Sequence, residues 1–299
     1  MMSTHQPLDA LQVVGVRYMG RRFVPEGQRV LDACRDGGVY ESAGVPYEVV
    51  EPRIEPMPDA EEPVALGALG GVIADEVAAA RQQGKAVLMT GGNCHHITGV
   101  LGGLQDVHGS GVRVGLVWFD AHGDFNTPHT TLSGSLGGMP VAACAGLCFP
   151  QWREASHMAA ALPADRILMV DVRNLDPAED ELVRSVGIPV AAPAPGFPGV
   201  DLEASVADLA ARVDLIYLHI DSDILDASLV PNHVTKEPDG PDMAQVLRAA
   251  DIVLATGKVA ACAVVSVFDS GEGAELGMAS GLELVRGCLA SWHEHGMAV

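Results

Sequence analysis

The chain is short of positive charge. Lysine and arginine number 18 against 39 aspartates and glutamates, a formal net charge of −21 over 299 residues. Such a surface repels phosphate backbones and anionic lipid, which excludes nucleic acid and membranes as expected partners. The sequence also lacks an apolar run near the 18 residues of a membrane span, and it begins MMSTHQPLDA with no basic-then-apolar leader. Its six cysteines (Cys34, Cys94, Cys144, Cys148, Cys262, Cys288) are dispersed, so a cytoplasmic protein with reduced thiols is expected rather than a disulfide framework. Cys144 and Cys148 have spacing that can hold zinc, but no second pair follows, and they read as small buried residues. No internal repeat is present.

What is abundant is apolar and patterned. Hydrophobic residues make up 48% of the chain, enough for a core that needs no staples. Runs rich in Val, Ile and Leu recur as LQVVGVRY (11–18), KAVLMT (85–90), VRVGLVWF (112–119), RILMVDV (166–172), DLIYLHI (214–220) and VAACAVVSVF (259–268). Between them lie amphipathic stretches at 72–84, 205–213, 243–257 and 277–295, several stopped by glycine. Alternating strand and helix predicts one α/β domain over 1–299, three-layer α/β/α with a mostly parallel doubly wound sheet. The Pro/Gly-rich stretches 191–199 and 231–241 are loop-sized and mark no domain boundary. In such sheets ligands sit beyond the carboxyl ends of the strands.

Two strand ends carry an unusual density of charge. VRVGLVWF runs into DAHGDFNTP, which spaces Asp120, His122 and Asp124 two apart, on one side of a backbone that is still extended. DLIYLHI runs into DSDILD, where Asp221 and Asp223 repeat the spacing and Asp226 opens the next turn. Four carboxylates and an imidazole gathered there repel one another unless cations lie between them. Two divalent ions bridged by shared carboxylates resolve the repulsion; oxygen-rich donors with one or two nitrogens suit manganese first, with magnesium and zinc open. A third strand, KAVLMT, ends in GGNCHH and offers Cys94, His95 and His96.

These segments, TGGNC, FDAHGDFNTP, VDVRNLDPAE and HIDSDILDASLVP, resemble in order and interval the ureohydrolase family of arginases and agmatinases, over about residues 11–290. The resemblance implies an arginase-like fold, two divalent metal ions with manganese expected, and a homo-oligomer. It implies a water shared by the ions that attacks a guanidino carbon, releasing urea or its analogue and an amine such as ornithine. The family's first motif usually reads GGDHS, and its histidine binds metal. Laid on it, Cys94 takes the ligand position, and His95 and His96 become packed residues at a helix start. By the same resemblance Asp120 and Asp221 bridge the ions, Cys94 and Asp124 complete one, and His122 and Asp223 complete the other. A thiolate adds a negative charge that a neutral histidine does not, and it shifts metal preference toward iron, cobalt or zinc.

The resemblance also lays Asp176 and Glu179 onto positions that meet a substrate α-amino group, and Asn126 and Ser133 onto positions that hold an α-carboxylate. Two family features are absent. Gly137 stands where a proton-shuttling histidine is expected, with His129 in the same loop as the substitute; Asp124 and His129 are the expected catalytic pair. No acid near the chain's end is in register with a guanidinium-pairing glutamate, Asp269 and Glu272 being only neighbours. Those absences suit a less basic head than arginine's. The expected substrate is a guanidino or N-hydroxyguanidino amino acid, similar to that of the branch splitting N-omega-hydroxy-L-arginine into hydroxyurea and ornithine. Agmatinase, guanidinobutyrase and formiminoglutamase activities, or a binding subunit without catalysis, are the alternatives.

Overall fold

In the computed structural model, residues 5–298 are described. The strands in chain order are β1 (His5–Gln6), β2 (Leu11–Val16), β3 (Tyr18–Met19), β4 (Arg22–Phe23), β5 (Tyr47–Val50), β6 (Ala86–Gly91), β7 (Val114–Phe119), β8 (Ile167–Val170), β9 (Val190–Ala191), β10 (Leu215–Asp221), β11 (Val259–Val265) and β12 (Met297–Ala298). Eight form one sheet in the order β5-β2-β6-β11-β10-β7-β8-β9, every pairing parallel. The pairs β1–β12 and β3–β4 are short antiparallel additions.

The strands read as unbroken apolar runs because both faces of the sheet are covered. On β10, Ile216, Leu218 and Ile220 enter one core while Leu215 and Tyr217 enter the other, as a period of two requires. Helices Arg29–Asp36, Leu202–Arg212, Met243–Leu254 and Ala274–His295 supply the first core; Glu62–Gln82 and Ile97–His108 supply the second. The expected three-layer, doubly wound architecture is therefore the one observed.

One expectation needs correction. The stretch 72–84 belongs to a 21-residue helix, Glu62–Gln82, whose length and hydropathy would suffice to cross a membrane. Its most apolar window is 67% buried within the protein. Apolarity on all sides here reflects a helix packed between the sheet and its neighbours.

Parallel connectivity brings the carboxyl ends of all sheet strands to one edge. The four central neighbours there, β6, β11, β10 and β7, lead directly into Cys94, Ser266, Asp221–Asp223 and Asp120–Asp124.

Candidate metal centre

β7 ends at Phe119, and Asp120 follows it, buried at 2% exposure. The backbone does not stay extended as expected: Asp124 adopts φ +46, a left-handed turn that aspartate tolerates better than most residues. The turn folds Asp120, His122 and Asp124 around one cavity of about 380 Å³. On β10, Asp221 is the last strand residue, and Asp223 sits in the 3₁₀ turn Ser222–Ile224. β6 stops at Gly91 and Gly92, with φ of +72 and +66. A Cβ on Gly91 would lie 2.6 Å from the Val16 carbonyl oxygen, so only glycine lets the chain turn here and deliver Cys94 into the cavity.

Three groups of donors result, and within each the ligand-type atoms lie within 4.8 Å of one another: Cys94 with Asp120 and Asp221, Asp120 with His122 and Asp223, and Asp221 with Asp223 and His233. The first two are consecutive halves of a binuclear arrangement sharing Asp120. Asp124 lines the same cavity without joining a group. No lysine or arginine is among the lining residues. The Cys94 Sγ lies 2.9 Å from Asp221 Oδ2 and 3.3 Å from His219 Nε2.

The electrostatics are those of a site built for cations. Burial, then Asp223 and Asp221, push the Asp120 carboxyl well above the usual range. Burial likewise raises Asp124, with His122 opposing. Burial pulls His122 down, but its bonds to Asp120 and Asp223 win and push it up to about 12. Burial, then Asp221 and Asp120, hold Cys94 as a thiol, well above its ordinary pKa. Left alone, the cluster gathers protons in place of metal charge. Oxygen, nitrogen and sulfur donors this close fit a pair of divalent ions.

The outer contacts fit as well. Nδ1 of His122 faces Asp223 Oδ2 at 3.1 Å, and its Nε2 faces Glu237 Oε1 at 3.5 Å. A ligating histidine commonly has its other nitrogen held by such a carboxylate. Glu237 is itself bonded by Asn174 Nδ2 at 2.6 Å.

At the far side of the cavity, Asn126 Nδ2 donates to Asp176 Oδ2 (3.2 Å) and Glu179 Oε2 (2.9 Å). Asp176 caps the helix Pro177–Ser185, and its N–H donates to Glu179 Oε2. Asn126, Ser133, Asp176 and Glu179 all line the cavity. His129 does not; it is exposed, so the suggested substitute for the shuttle histidine stands outside. Asp269 is also outside, accepting the Arg29 N–H at 2.8 Å, and Glu272 is exposed. From β11 the residue entering the cavity is Ser266, whose hydroxyl donates to Asp221 Oδ2 at 2.5 Å. Asp226 holds its own turn, accepting from Ser228. His96 Nδ1 accepts the Asn93 N–H and its Nε2 faces the Gly20 carbonyl, while His95 stacks on Trp152. Cys144 and Cys148 are free and join no donor group among the described residues.

His219, His233, Ser266 and Glu237 were missed by sequence reasoning. His219 carried a signal: it precedes Asp221 by two on the same strand and so shares its face. The others lie on loops where no period places them.

An α/β protein with clustered acids at adjacent strand tips defines a class, that of parallel-sheet proteins with a candidate binuclear metal centre. Residues 21–277 match the arginase family, and the chain belongs to that family. An arginase of Bacillus caldovelox is 32% identical over 154 residues, 50% of each chain. The N(omega)-hydroxy-L-arginine amidinohydrolase of Streptomyces lavendulae is 37% identical over 131 residues, 44% of this chain and 43% of that protein. The chain thus spans about half the length, or less, of these curated relatives in alignment. Solved structures share the fold more completely: the Bacillus caldovelox arginase at TM-score 0.78 and 24% identity, covering 95% and 98% of the two chains, and the Entamoeba histolytica arginase at 0.82 and 19%, covering 95% and 99%.

Proposed function

We propose that the protein is a binuclear metal-dependent hydrolase of a guanidino or N-hydroxyguanidino amino acid, cleaving a C–N bond to release urea or hydroxyurea and an amine such as ornithine. The observation that carries this reading is one cavity joining two kinds of donor: the Cys94, Asp120, His122, Asp221 and Asp223 cluster, and the Asn126, Asp176 and Glu179 network. When bound, the two ions, manganese first among them, polarise the substrate and supply an activated water. Asp120 and Asp221 would hold both ions, Cys94 and Asp124 one, His122 and Asp223 the other.

The chain's own residues do the rest. Asp176 and Glu179 present carboxylates to an α-ammonium group; Asn126, expected on the α-carboxylate, has its Nδ2 bonded to those two acids and orients them instead, which leaves Ser133 to offer a hydroxyl to the α-carboxylate. Asp124, brought to the cavity by its left-handed turn, would be the carboxylate base beside the activated water. Beyond the proposed metal ligands, the lining residues from the ends of β10 and β11 include Thr235, Ser266 and Phe268 and no further carboxylate, which suits a less basic N-hydroxyguanidine better than arginine. The Streptomyces relative's name supports the same choice.

The test is steady-state kinetics on manganese-loaded protein with L-arginine, N-omega-hydroxy-L-arginine, agmatine, 4-guanidinobutyrate and formiminoglutamate. We expect kcat/KM for the hydroxylated amino acid to exceed that for arginine by about tenfold or more. Release of no urea, hydroxyurea or formamide from any member would refute the reading. We also infer a homo-oligomer, read by light scattering, and a cytoplasmic setting, supported by six free thiols.

A further inference from the structure

Cys94 leaves the strand-end motifs with one imidazole, His122, among their proposed metal ligands. The loop after β10 holds a second. His233 is 3% exposed, packed edge-on against Phe268 with ring centroids 4.8 Å apart. Its Nε2 is 3.3 Å from Asp221 Oδ1, yet that nitrogen is buried with no hydrogen-bond partner. Its Nδ1 is 3.7 Å from Asp223 Oδ2.

We propose that His233 is a nitrogen ligand of the metal centre, binding through Nε2 the ion that Asp221 and Asp223 share. The inference rests on the binuclear reading above and adds to it a ligand from outside the strand-end motifs. Two ligand atoms at right angles, each about 2.1 Å from one ion, stand about 3 Å apart. The 3.1 Å between His122 Nδ1 and Asp223 Oδ2, and the 3.3 Å between His233 Nε2 and Asp221 Oδ1, both have that separation. A direct hydrogen bond would instead need the two atoms aligned, and at His233 they are not.

The surroundings supply the support that a ligating histidine needs. Nδ1 accepts the Thr235 N–H at 3.2 Å and lies 3.2 Å from Thr235 Oγ1, which donates to Asp223 Oδ2 at 2.9 Å; binding an ion through Nε2 requires Nδ1 to take up the proton and turn it to Thr235 Oγ1. These contacts hold the ring plane and tie the histidine to its neighbouring ligand, and the ion is what selects the tautomer. The loop thus adds a nitrogen at the ion of His122 and Asp223 rather than at that of Cys94, and the centre keeps two imidazoles.

The test uses zinc-loaded full-length protein with ¹⁵N-labelled histidine, read by long-range proton–nitrogen NMR. Two rings, those of His122 and His233, should show metal-bound nitrogens, with Nδ1 of His233 protonated. His233→Ala should weaken zinc binding by about ten- to a hundredfold in calorimetric titration, with its melting curve checking the fold. If two ions bind and only His122 shifts, this inference is overturned while the binuclear reading stands; if no ion binds, both fall. The wild-type spectrum decides even where the variant fails to fold.

Discussion

Replacing Asp120 by asparagine should move stability in opposite directions with and without metal. Asp120 is buried between Asp221 and Asp223, and burial together with those two acids raises its pKa. Asparagine keeps the oxygen that accepts the His122 N–H at 2.6 Å but removes the charge. In EDTA the variant should gain on the order of 2 kcal/mol, because the folded protein no longer has to keep a buried carboxyl protonated at a pH where the unfolded chain ionises it. With ions at a hundredfold their Kd, each bound ion adds about 2.7 kcal/mol, or about 5 kcal/mol for a pair. Unfolding entropy near 2.1 cal/mol/K per residue gives about 0.6 kcal/mol/K for a chain of this length. Wild-type protein should therefore melt about 8 °C higher with manganese than in EDTA. The Asp120→Asn variant should melt about 3 °C above wild type in EDTA and lose most of the manganese effect. Since ligands must shed protons to bind metal, the manganese shift should be larger at pH 8 than at pH 6. Scanning calorimetry of both proteins, with and without manganese and at both pH values, reads these shifts. A wild-type melt indifferent to manganese, cobalt and zinc, or an asparagine variant that melts lower in EDTA, would refute the idea that cation charge is what this cluster lacks.

Other outcomes follow from particular contacts. Cys94→His should cost about 1–3 kcal/mol from overpacking, because Sγ already lies 3.3 Å from His219 Nε2; the double variant with His219→Ala should recover most of the loss in urea unfolding, and additive losses would count against it. Gly102→Ala should lower stability by about 3 kcal/mol or more, although alanine is the better helix former by about 1 kcal/mol, because its Cβ would lie 1.7 Å from the Ser156 carbonyl oxygen; a raised melting temperature would contradict this. Asp176→Asn should raise KM for an α-amino acid substrate about tenfold or more with little change in kcat, and an unchanged KM would remove Asp176 from substrate binding.

The contrast between these residues shows what was legible beforehand. Asp120 and Asp221 were readable because each directly follows an apolar run, and His122 and Asp223 because each stands two residues further on, at the carboxyl end of the same strand. The parallel sheet was readable because strands buried on both faces cannot alternate, and their continuous Val, Ile and Leu content records that burial. The length of the helix Glu62–Gln82 was not, because its first half carries no amphipathic period to count.

Sequence alone thus determined the layers, the sheet type and the strand tips bearing charge, all consequences of local period and of what borders it. Tertiary structure alone decided that β6, β11, β10 and β7 are neighbours, and therefore that Cys94, Ser266, Asp221 and Asp120 meet. It alone brought His233 within 3.3 Å of Asp221 and turned Asp269 away toward Arg29. Strand order and loop paths are set by the packing of the whole chain, through contacts distant in sequence, and no local pattern encodes a distance across the sheet.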